Sequence, residues 1–357
     1  MSGAAERVVR ALDRHWFAPA DLRDLAAVRI VLVGLFLGTM LAPELSGALG
    51  ITGGYGFEAQ RWFLEIPDES FAPIPMLKLL TVPFGAWGAR PSPLLLHTIV
   101  WVALASGIMA LVGVVGRTSM LVFAAATTLL IAHGYSYGEL HHPQTLPVLA
   151  LWVLPFAPIG GAWAVDALRG RIRRARRDLE FAPVRRVDRT HPFARWQIRT
   201  IQWLLVLAYL SAGLSKLEIG GLEWLNGYRI LRHLAERAMT GSELAGFVGG
   251  LPLIATALAV VTVWFELTFA AAVVVPRLTL LYVITGTLLH VGIFVLVGAP
   301  FVGWPLLYVV LLENVRRGRS GAPRAGSPGA AARQAPRQAD APDAEVTPHA
   351  DVAPDER

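Results

Sequence analysis

A lysine at the end of a long apolar run is the residue of this chain best suited to acid–base chemistry. Lys78 and Lys216 are the two lysines among 32 lysine and arginine residues, and Lys216 belongs to the apolar run 201–217. A lysine that is removed from water can lose its proton near neutral pH, whereas an arginine stays charged. We therefore expect Lys216 to act as a catalytic base. The alternative is a structural lysine whose amine reaches the membrane surface.

Four further titratable side chains lie in apolar runs, where a polar group is costly and commonly marks a functional site. They are His97, His133, Glu266 and His290, of which His97 is interpreted as a packing residue. With the topology derived below, His133, His290 and Lys216 fall in the outer halves of their helices. The sequence therefore predicts that Lys216, His133 and His290 share one cavity that opens outward. For each histidine, packing between helices is the alternative interpretation.

The composition places this chain among integral membrane proteins. Apolar residues make up 54% of the chain and charged residues 16%, and the mean hydropathy is +0.51. A helix that crosses a hydrocarbon core of roughly 30 Å needs about 17 to 25 mostly apolar residues. The sequence predicts an all-α fold, a polytopic transmembrane helix bundle of about eight spans with interfacial helices in the outer loops. The predicted spans are 26–45, 94–116, 118–135, 145–165, 199–217, 251–275, 278–297 and 300–314.

Arginine residues concentrate in alternate connections between the predicted spans. They precede span one, follow span eight, and separate spans two and three, four and five, and six and seven. Because positive charge in short loops stays on the cytoplasmic side, we expect both termini to lie in the cytoplasm. The densest run, 169–189, lies between two spans, which favours a topology signal and a surface for anionic lipid over a nucleic-acid site.

Three segments of different composition predict three parts of the chain. In residues 1–25, apolar residues such as Leu12 and Trp16 alternate with arginines, which is typical of a cytoplasmic amphipathic helix on the membrane surface. Residues 26–316 form the predicted transmembrane domain, which begins with an uncleaved anchor. Residues 317–357 contain no Phe, Trp or Tyr, so we expect a disordered cytoplasmic tail.

Two outer connections, 46–93 and 218–250, are long enough to cover the mouth of the bundle. The second turns at Gly220 and continues as an amphipathic helix with Trp224 and Tyr228. Such aromatic residues can contact a substrate, or they can anchor the helix among lipid headgroups. Both interpretations place them over the outer end of the bundle.

A metal site is a weaker interpretation of the histidines. Glu139, His141 and His142 follow His133 and carry side chains that bind zinc or iron. Pro143 breaks this segment, and the spacing does not place His133 and His141 on one helical face. The chain also contains no cysteine, which excludes thiolate ligands and thiolate nucleophiles. We therefore expect no metal.

Several motifs, taken in order, resemble a known family of membrane enzymes. Residues 209–218 (YLSAGLSKLE) and 223–228 (EWLNGY) resemble the segment of vitamin K-dependent gamma-glutamyl carboxylase that carries the catalytic lysine. Residues 133–138 (HGYSYG) resemble its His-x-Tyr-x-Tyr-Gly element, and residues 163–166 (WAVD) resemble the end of its next span. The resemblance covers roughly residues 20 to 315 and is shared by the bacterial HTTM, or carboxylase-like, membrane proteins.

The resemblance implies both a site and a reaction. By position, Lys216 deprotonates a reduced quinone and His133 supports the oxygen or carboxylation step, so both are predicted to be catalytic. In the animal enzyme of the family, oxygenation of reduced vitamin K produces a strong base that removes a glutamate proton, and carbon dioxide then adds. A reduced quinone, O2 and CO2 are thus the implied co-substrates. The residues predicted to bind substrate are His290, Tyr135, Tyr137, Tyr209, Trp224, Tyr228 and Glu266.

The chain also departs from the animal enzyme, which has a large luminal domain after its membrane part for recognising protein substrates. Here the tail follows the last predicted span, so quinol oxidation or epoxidation is better supported than carboxylation of an unknown acceptor. A peptide or protein substrate would be recruited on the outer side, and membrane lipid and quinone are the other expected partners. The alternative hypothesis is a non-catalytic membrane module that binds lipid or quinone, or that assists peptide maturation or export. A transporter is disfavoured because the sequence shows no internal symmetry.

Overall fold

The computed structural model describes residues 3–42, 56–75, 77–78, 90–138, 142–181, 190–299, 301 and 303–320. Within those ranges the secondary structure is helical apart from two short strands, β1 (Ala20–Asp21) and β2 (Thr190–His191), which pair antiparallel. The predicted all-α class is therefore confirmed. Residues 43–45 of the first predicted span, Glu139, His141 and the tail segment 321–357 lie outside the described residues.

Sixteen α-helices fall within the described ranges. The first eight are α1 (Gly3–Phe17), α2 (Leu22–Leu41), α3 (Phe57–Glu65), α4 (Pro93–Val112), α5 (Gly116–Tyr135), α6 (His142–Val153), α7 (Val165–Phe181) and α8 (Arg195–Gly220). The second eight are α9 (Leu222–Leu225), α10 (Tyr228–Met239), α11 (Glu243–Gly249), α12 (Pro252–Thr268), α13 (Ala270–Val274), α14 (Pro276–Gly292), α15 (Gly303–Leu307) and α16 (Leu312–Ser320). Short 3-10 turns and one π-helical turn connect or extend them, at Asp68–Ser70, Leu154–Phe156, Ile293–Val297 and Tyr308–Leu311.

Five of these helices are long and apolar enough to cross a membrane, namely α2, α4, α5, α8 and α14 with its π-helical extension to Val297. They coincide with the first, second, third, fifth and seventh predicted spans. Helices α11 and α12 pass the same test as a pair that is bent by 94°, which raises the number to six when the pair is counted as one span. The chain is therefore a membrane-embedded helical bundle.

The predicted spans 145–165 and 300–314 are not single long helices. Pro147 lies inside α6, and Pro155 lies in the 3-10 turn that follows it. Proline removes a backbone donor and crowds the preceding turn, so it shortens a helix. The described part of the second range consists of α15, a 3-10 turn and the start of α16. Hydropathy therefore predicted the position of both apolar runs but not their breaks. The prolines explain why the run 145–165 contains only a short helix.

The apolar core is one continuous cluster with members from α2, α5, α8 and α12. Its fully buried aromatic side chains include Phe36, Phe123 and Phe265. Because lipid is as apolar as these side chains, close packing rather than removal from water stabilises such contacts in a membrane. The core therefore fixes the faces on which α8 and α12 meet.

The turn between α4 and α5 gives the motif at residues 163–166 a structural role. Gly113 ends α4 with a φ of +71°, a left-handed conformation that favours glycine. The carboxylate of Asp166 accepts a hydrogen bond from the backbone N–H of Gly116 at 3.0 Å. Arg29, fully buried in α2, donates to the carbonyl oxygen of Trp163 at 2.6 Å. Trp163 and Asp166 thus fasten the start of α7 to α2 and α5.

Ion pairs close the end of the bundle where α8 begins. The Nε of Arg195 donates to the carbonyl oxygen of Ala18 at 2.8 Å, and its Nη2 lies 2.8 Å from Oε1 of Glu313. Arg316 pairs with Asp24 at 2.6 Å. These contacts join α8 and α16 to the start of α2, so the first residue of α8 is fixed at this end of the bundle.

Candidate functional site

The amine of Lys216 is bound by a carboxylate from a neighbouring helix. Its Nζ lies 2.7 Å from Oε1 and 2.8 Å from Oε2 of Glu266 on α12. The Lys216 side chain is 20% exposed and the Glu266 side chain 9% exposed. The ring centroid of Trp224 on α9 lies 5.2 Å from Nζ, within the range of a cation–π contact. Lys216, Glu266 and Trp224, three of the predicted site residues, therefore form one cluster, which we call the lysine cluster.

Glycines bring the members of the lysine cluster together. A Cβ at Gly213, less than one turn before Lys216, would lie 3.1 Å from the Cβ of Glu266, so glycine lets α8 and α12 approach closely. A Cβ at Gly220 would lie 2.2 Å from the indole of Trp224. The indole thus packs against the end of α8, on the side from which it reaches the amine.

A second polar cluster lies deeper in the bundle, around Tyr209. The hydroxyl oxygen of Tyr209 lies 2.6 Å from that of Tyr308 and 3.4 Å from Nε2 of His290. The Nδ1 of His290 lies 2.7 Å from the carbonyl oxygen of Gly286, and a carbonyl only accepts, so Nδ1 carries the proton. Nε2 is then the acceptor, which makes Tyr209 its donor and Tyr308 the donor to Tyr209. We call this chain the tyrosine–histidine cluster.

The lysine and tyrosine–histidine clusters have helix α8 in common. Tyr209 and Lys216 are seven residues apart on α8, which places them two turns apart on nearly one face. The ring of Tyr209 contacts Phe265 and Phe269, with centroids 5.1 and 4.6 Å away. Phe265 directly precedes Glu266 on α12, and Phe269 follows the last residue of that helix. The structure therefore brings the elements that carry Lys216 and His290 into one region.

His133 lies in a different region, inside a box of aromatic rings. The centroids of Phe63, Phe71 and Tyr137 lie 5.6, 5.9 and 5.5 Å from its ring. The imidazole is fully buried, and neither ring nitrogen has a hydrogen-bond partner within the described part of the chain. Among the described residues, no hydrogen bond, ion pair or ring contact joins His133 to the lysine cluster. The prediction that the three groups share one cavity therefore stays a prediction.

The remaining predicted residues contact their own helices or neighbouring ones. Tyr135 donates its hydroxyl hydrogen to Oε1 of Gln144 on α6 at 2.9 Å. Tyr137 stacks on Phe63 at 5.1 Å and helps to enclose His133. Tyr228 opens α10 with its side chain 60% exposed. Tyr135 and Tyr137 therefore support the region of His133, whereas Tyr228 faces outward.

Two parts of this arrangement were not predicted from the sequence. Tyr308, which completes the tyrosine–histidine cluster, lies in the last apolar run and was not singled out. Arg199 and Gln202 lie two turns or more before Tyr209 on α8, and Nη1 of Arg199 donates to Oε1 of Gln202 at 2.6 Å. Both side chains are buried, so α8 carries polar groups along much of its length. Tyr308, Arg199 and Gln202 are polar residues within apolar runs. Because such residues are rare in membrane helices, their presence in the sequence could have marked these positions.

Comparisons with known proteins do not assign this chain to a family: no family, no curated protein and no solved structure matches it. The resemblance to carboxylase-like proteins therefore stays a prediction that depends on the quoted motifs. Among the described residues, no three histidine or acidic side chains are grouped closely enough to hold a metal ion.

Proposed function

We propose that this chain is a membrane enzyme that oxidises or epoxidises a reduced quinone at the lysine cluster. One observation carries the proposal: Lys216, the residue that the motif at 209–218 marks as catalytic, meets a carboxylate inside the helical bundle. Intramembrane ionisable residues are costly and commonly functional. The adjoining tyrosine–histidine cluster adds hydrogen-bonding groups beside it.

The Lys216–Glu266 pair, rather than the lysine alone, acts as the base. The pair has no net charge whether the shared proton sits on the amine or on the carboxylate. With the shared proton on the carboxylate, the neutral amine takes up one proton from a quinol hydroxyl, and the pair becomes singly positive. Removal from water strengthens the electrostatic interaction between Lys216 and Glu266, because few solvent molecules screen their charges. Glu266, which the sequence suggested as a substrate-binding residue, thus becomes part of the proton acceptor.

The overall reaction balances with molecular oxygen as the oxidant. A reduced quinone and O2 give the quinone epoxide and one water molecule. The chain's own residues accept the hydroxyl proton and keep water away from the reacting atoms. By resemblance, His133 supports the oxygen step, and its two unpartnered ring nitrogens leave it able to bond to a small polar molecule. Carboxylation of an acceptor by CO2 is a further step of the same proposal.

The proposal includes the membrane arrangement. We propose eight crossings of a bacterial inner membrane with both termini in the cytoplasm, because arginine-rich connections alternate with arginine-poor ones. The bent pair of α11 and α12 and the broken segments of α6 and of α15 with α16 supply the three crossings that are not single long helices. A protease or labelling experiment on each loop measures this arrangement directly.

Lys216→Arg tests the proposed chemistry. Arginine can keep the contact with Glu266 but does not become neutral. We expect the purified variant, supplied with a reduced naphthoquinone and air, to form no epoxide by mass spectrometry while remaining folded. The matched control is Arg232→Lys, in the exposed pair with Glu236 on α10, which should leave epoxide formation unchanged.

A second candidate is a non-catalytic module that binds quinone or lipid. It is favoured by the same ion pair, since both carboxylate oxygens already bind the amine, as in a structural contact between helices. Under this candidate, the wild-type chain binds quinone without forming epoxide, and Lys216→Arg binds it equally well. Epoxide formation by the wild type at catalytic rates is incompatible with this candidate.

A further inference from the structure

Helix α1 presents an apolar stripe that no described element covers. Val8, Val9 and Leu12 are 58%, 53% and 55% exposed. Their spacing places them within about 100° of each other on the helix, whereas Arg7, Arg10 and Arg14 lie on the opposite side. An apolar stripe with arginines behind it is the arrangement of a helix that lies at a membrane surface.

The same helix is fixed to the bundle at its second end. His15 accepts a hydrogen bond at its Nε2 from the indole N–H of Trp203 at 3.0 Å. Arg195 donates to the backbone of the residues that follow α1, including Pro19 at 3.0 Å. Trp203 lies eight residues after Arg195, or about 12 Å along α8. Helix α1 is therefore fixed at the end of the bundle where α8 begins.

A second basic helix leaves the bundle at the same end. The turn before α7 lies against the start of α2, because a Cβ at Gly161 would lie 2.8 Å from the side chain of Leu22. Helices α1 and α7 together carry nine arginines and five acidic residues. The exposed apolar residues Leu168 and Ile172 lie one turn apart on α7. Both helices therefore combine positive charge with apolar surface at one end of the bundle.

We propose that α1 is a binding surface for anionic phospholipid, with Val8, Val9 and Leu12 inserted among the acyl chains and its arginines at the phosphates. Helix α7 adds positive charge at the same membrane surface. Charge complementarity selects this occupant: an arginine near an anionic membrane surface gains about 1 kcal/mol, or roughly a fivefold change in partitioning. The inference does not depend on the proposed enzymatic activity.

The absence of cysteine from the chain allows one labelled position at a time. The full chain with Val9→Cys is labelled with an environment-sensitive fluorophore and placed in nanodiscs of phosphatidylcholine, with or without phosphatidylglycerol. We expect a blue-shifted emission and weaker quenching by acrylamide when phosphatidylglycerol is present. Glu6→Cys, a matched control on the other side of α1, keeps all three arginines and should stay accessible to acrylamide in both nanodiscs.

Replacing the arginines tests the electrostatic part. With Arg7, Arg10 and Arg14 all changed to Gln, the label at position 9 should be quenched as strongly with phosphatidylglycerol as without it. Equal protection of the label in both lipids overturns the proposal, as does protection that survives the three substitutions. Protection only after addition of an acidic soluble protein also overturns it, because the occupant would then be a protein rather than lipid.

Discussion

Glu266→Gln isolates the contribution of the carboxylate to the lysine cluster. The substitution keeps the shape of the side chain but removes the charge that binds Lys216 at 2.7 and 2.8 Å. Breaking a buried ion pair costs roughly 3–5 kcal/mol, because the remaining charge is left uncompensated. With side chains 20% and 9% exposed, solvent screens only part of this cost. We expect the free energy of unfolding to fall by about 3 kcal/mol.

A double-mutant cycle separates the pair from its members. Lys216→Met removes the other charge, and the combined variant contains neither, so it should recover most of the stability that Glu266→Gln loses. Unfolding is followed by tryptophan fluorescence in nanodiscs at constant pH. The matched control is Glu236→Gln in the exposed pair with Arg232, where we expect no measurable change because exposed ion pairs contribute little.

The outcome that contradicts this reasoning is additivity. If Glu266→Gln and Lys216→Met each destabilise the chain, and the combined variant is destabilised by their sum, the two charges do not interact. The lysine cluster would then not be the proton acceptor that the proposed function requires. A different outcome would separate the two roles of the Glu266 carboxylate. Its chemical role is shown if Glu266→Gln forms no epoxide, and its structural role is shown if the combined variant recovers stability.

Two other predictions concern the tyrosine–histidine cluster and α1. Gly286→Ala places a Cβ 2.2 Å from the hydroxyl oxygen of Tyr308, so we expect a loss of about 1–3 kcal/mol in thermal unfolding, whereas Gly292→Ala meets no atom within 4 Å and serves as control. Burial and two nearby arginines lower the pKa of His15, so the neutral form that accepts from Trp203 is favoured when α1 is docked. The stabilisation is complete above the ordinary histidine pKa of about 6.5 and is lost as pH falls through the lowered value. Hydrogen exchange of α1 should therefore accelerate on acidification, and His15→Phe should abolish that pH dependence.

Hydropathy predicted where the long helices lie but not which faces meet. The five long apolar helices match predicted spans, because the number of apolar residues needed to cross a membrane is a property of each segment alone. Pairing depends on shape: Lys216 meets Glu266 because Gly213 permits α8 and α12 to approach. A glycine in a helix indicates close packing but does not identify the partner helix, so the sequence left Glu266 as one of several candidates.

The motifs were informative to different degrees. Trp163 and Asp166 were interpreted through resemblance, and the structure gives them contacts with Arg29 and Gly116 that hold helices together. His133 was expected near Lys216 because both fall at a similar depth. Depth alone does not fix rotation about the helix axis, and the rings that surround His133 come partly from α3, which hydropathy did not identify as a helix. The sequence therefore predicts a shared cavity but does not identify the side chains that surround His133.

The environment of His133 allows a test of whether this residue has a function in the reaction or only a packing role. An imidazole with both nitrogens buried and unpartnered is costly, by about 1–3 kcal/mol for each unsatisfied polar group. Phenylalanine has a similar shape and no such groups, so His133→Phe should raise the unfolding temperature.

Helix α6 contacts both α5, which carries His133, and α8, which carries Lys216, so the two regions have a common neighbour. If His133 acts on the substrate, the stabilised His133→Phe variant should lose epoxide formation, as judged by mass spectrometry. Because a residue kept only for packing has no reason to leave two ring nitrogens unsatisfied, we expect this loss. Full activity in a more stable variant would show that His133 takes no part in the reaction and would restrict the site to the lysine and tyrosine–histidine clusters.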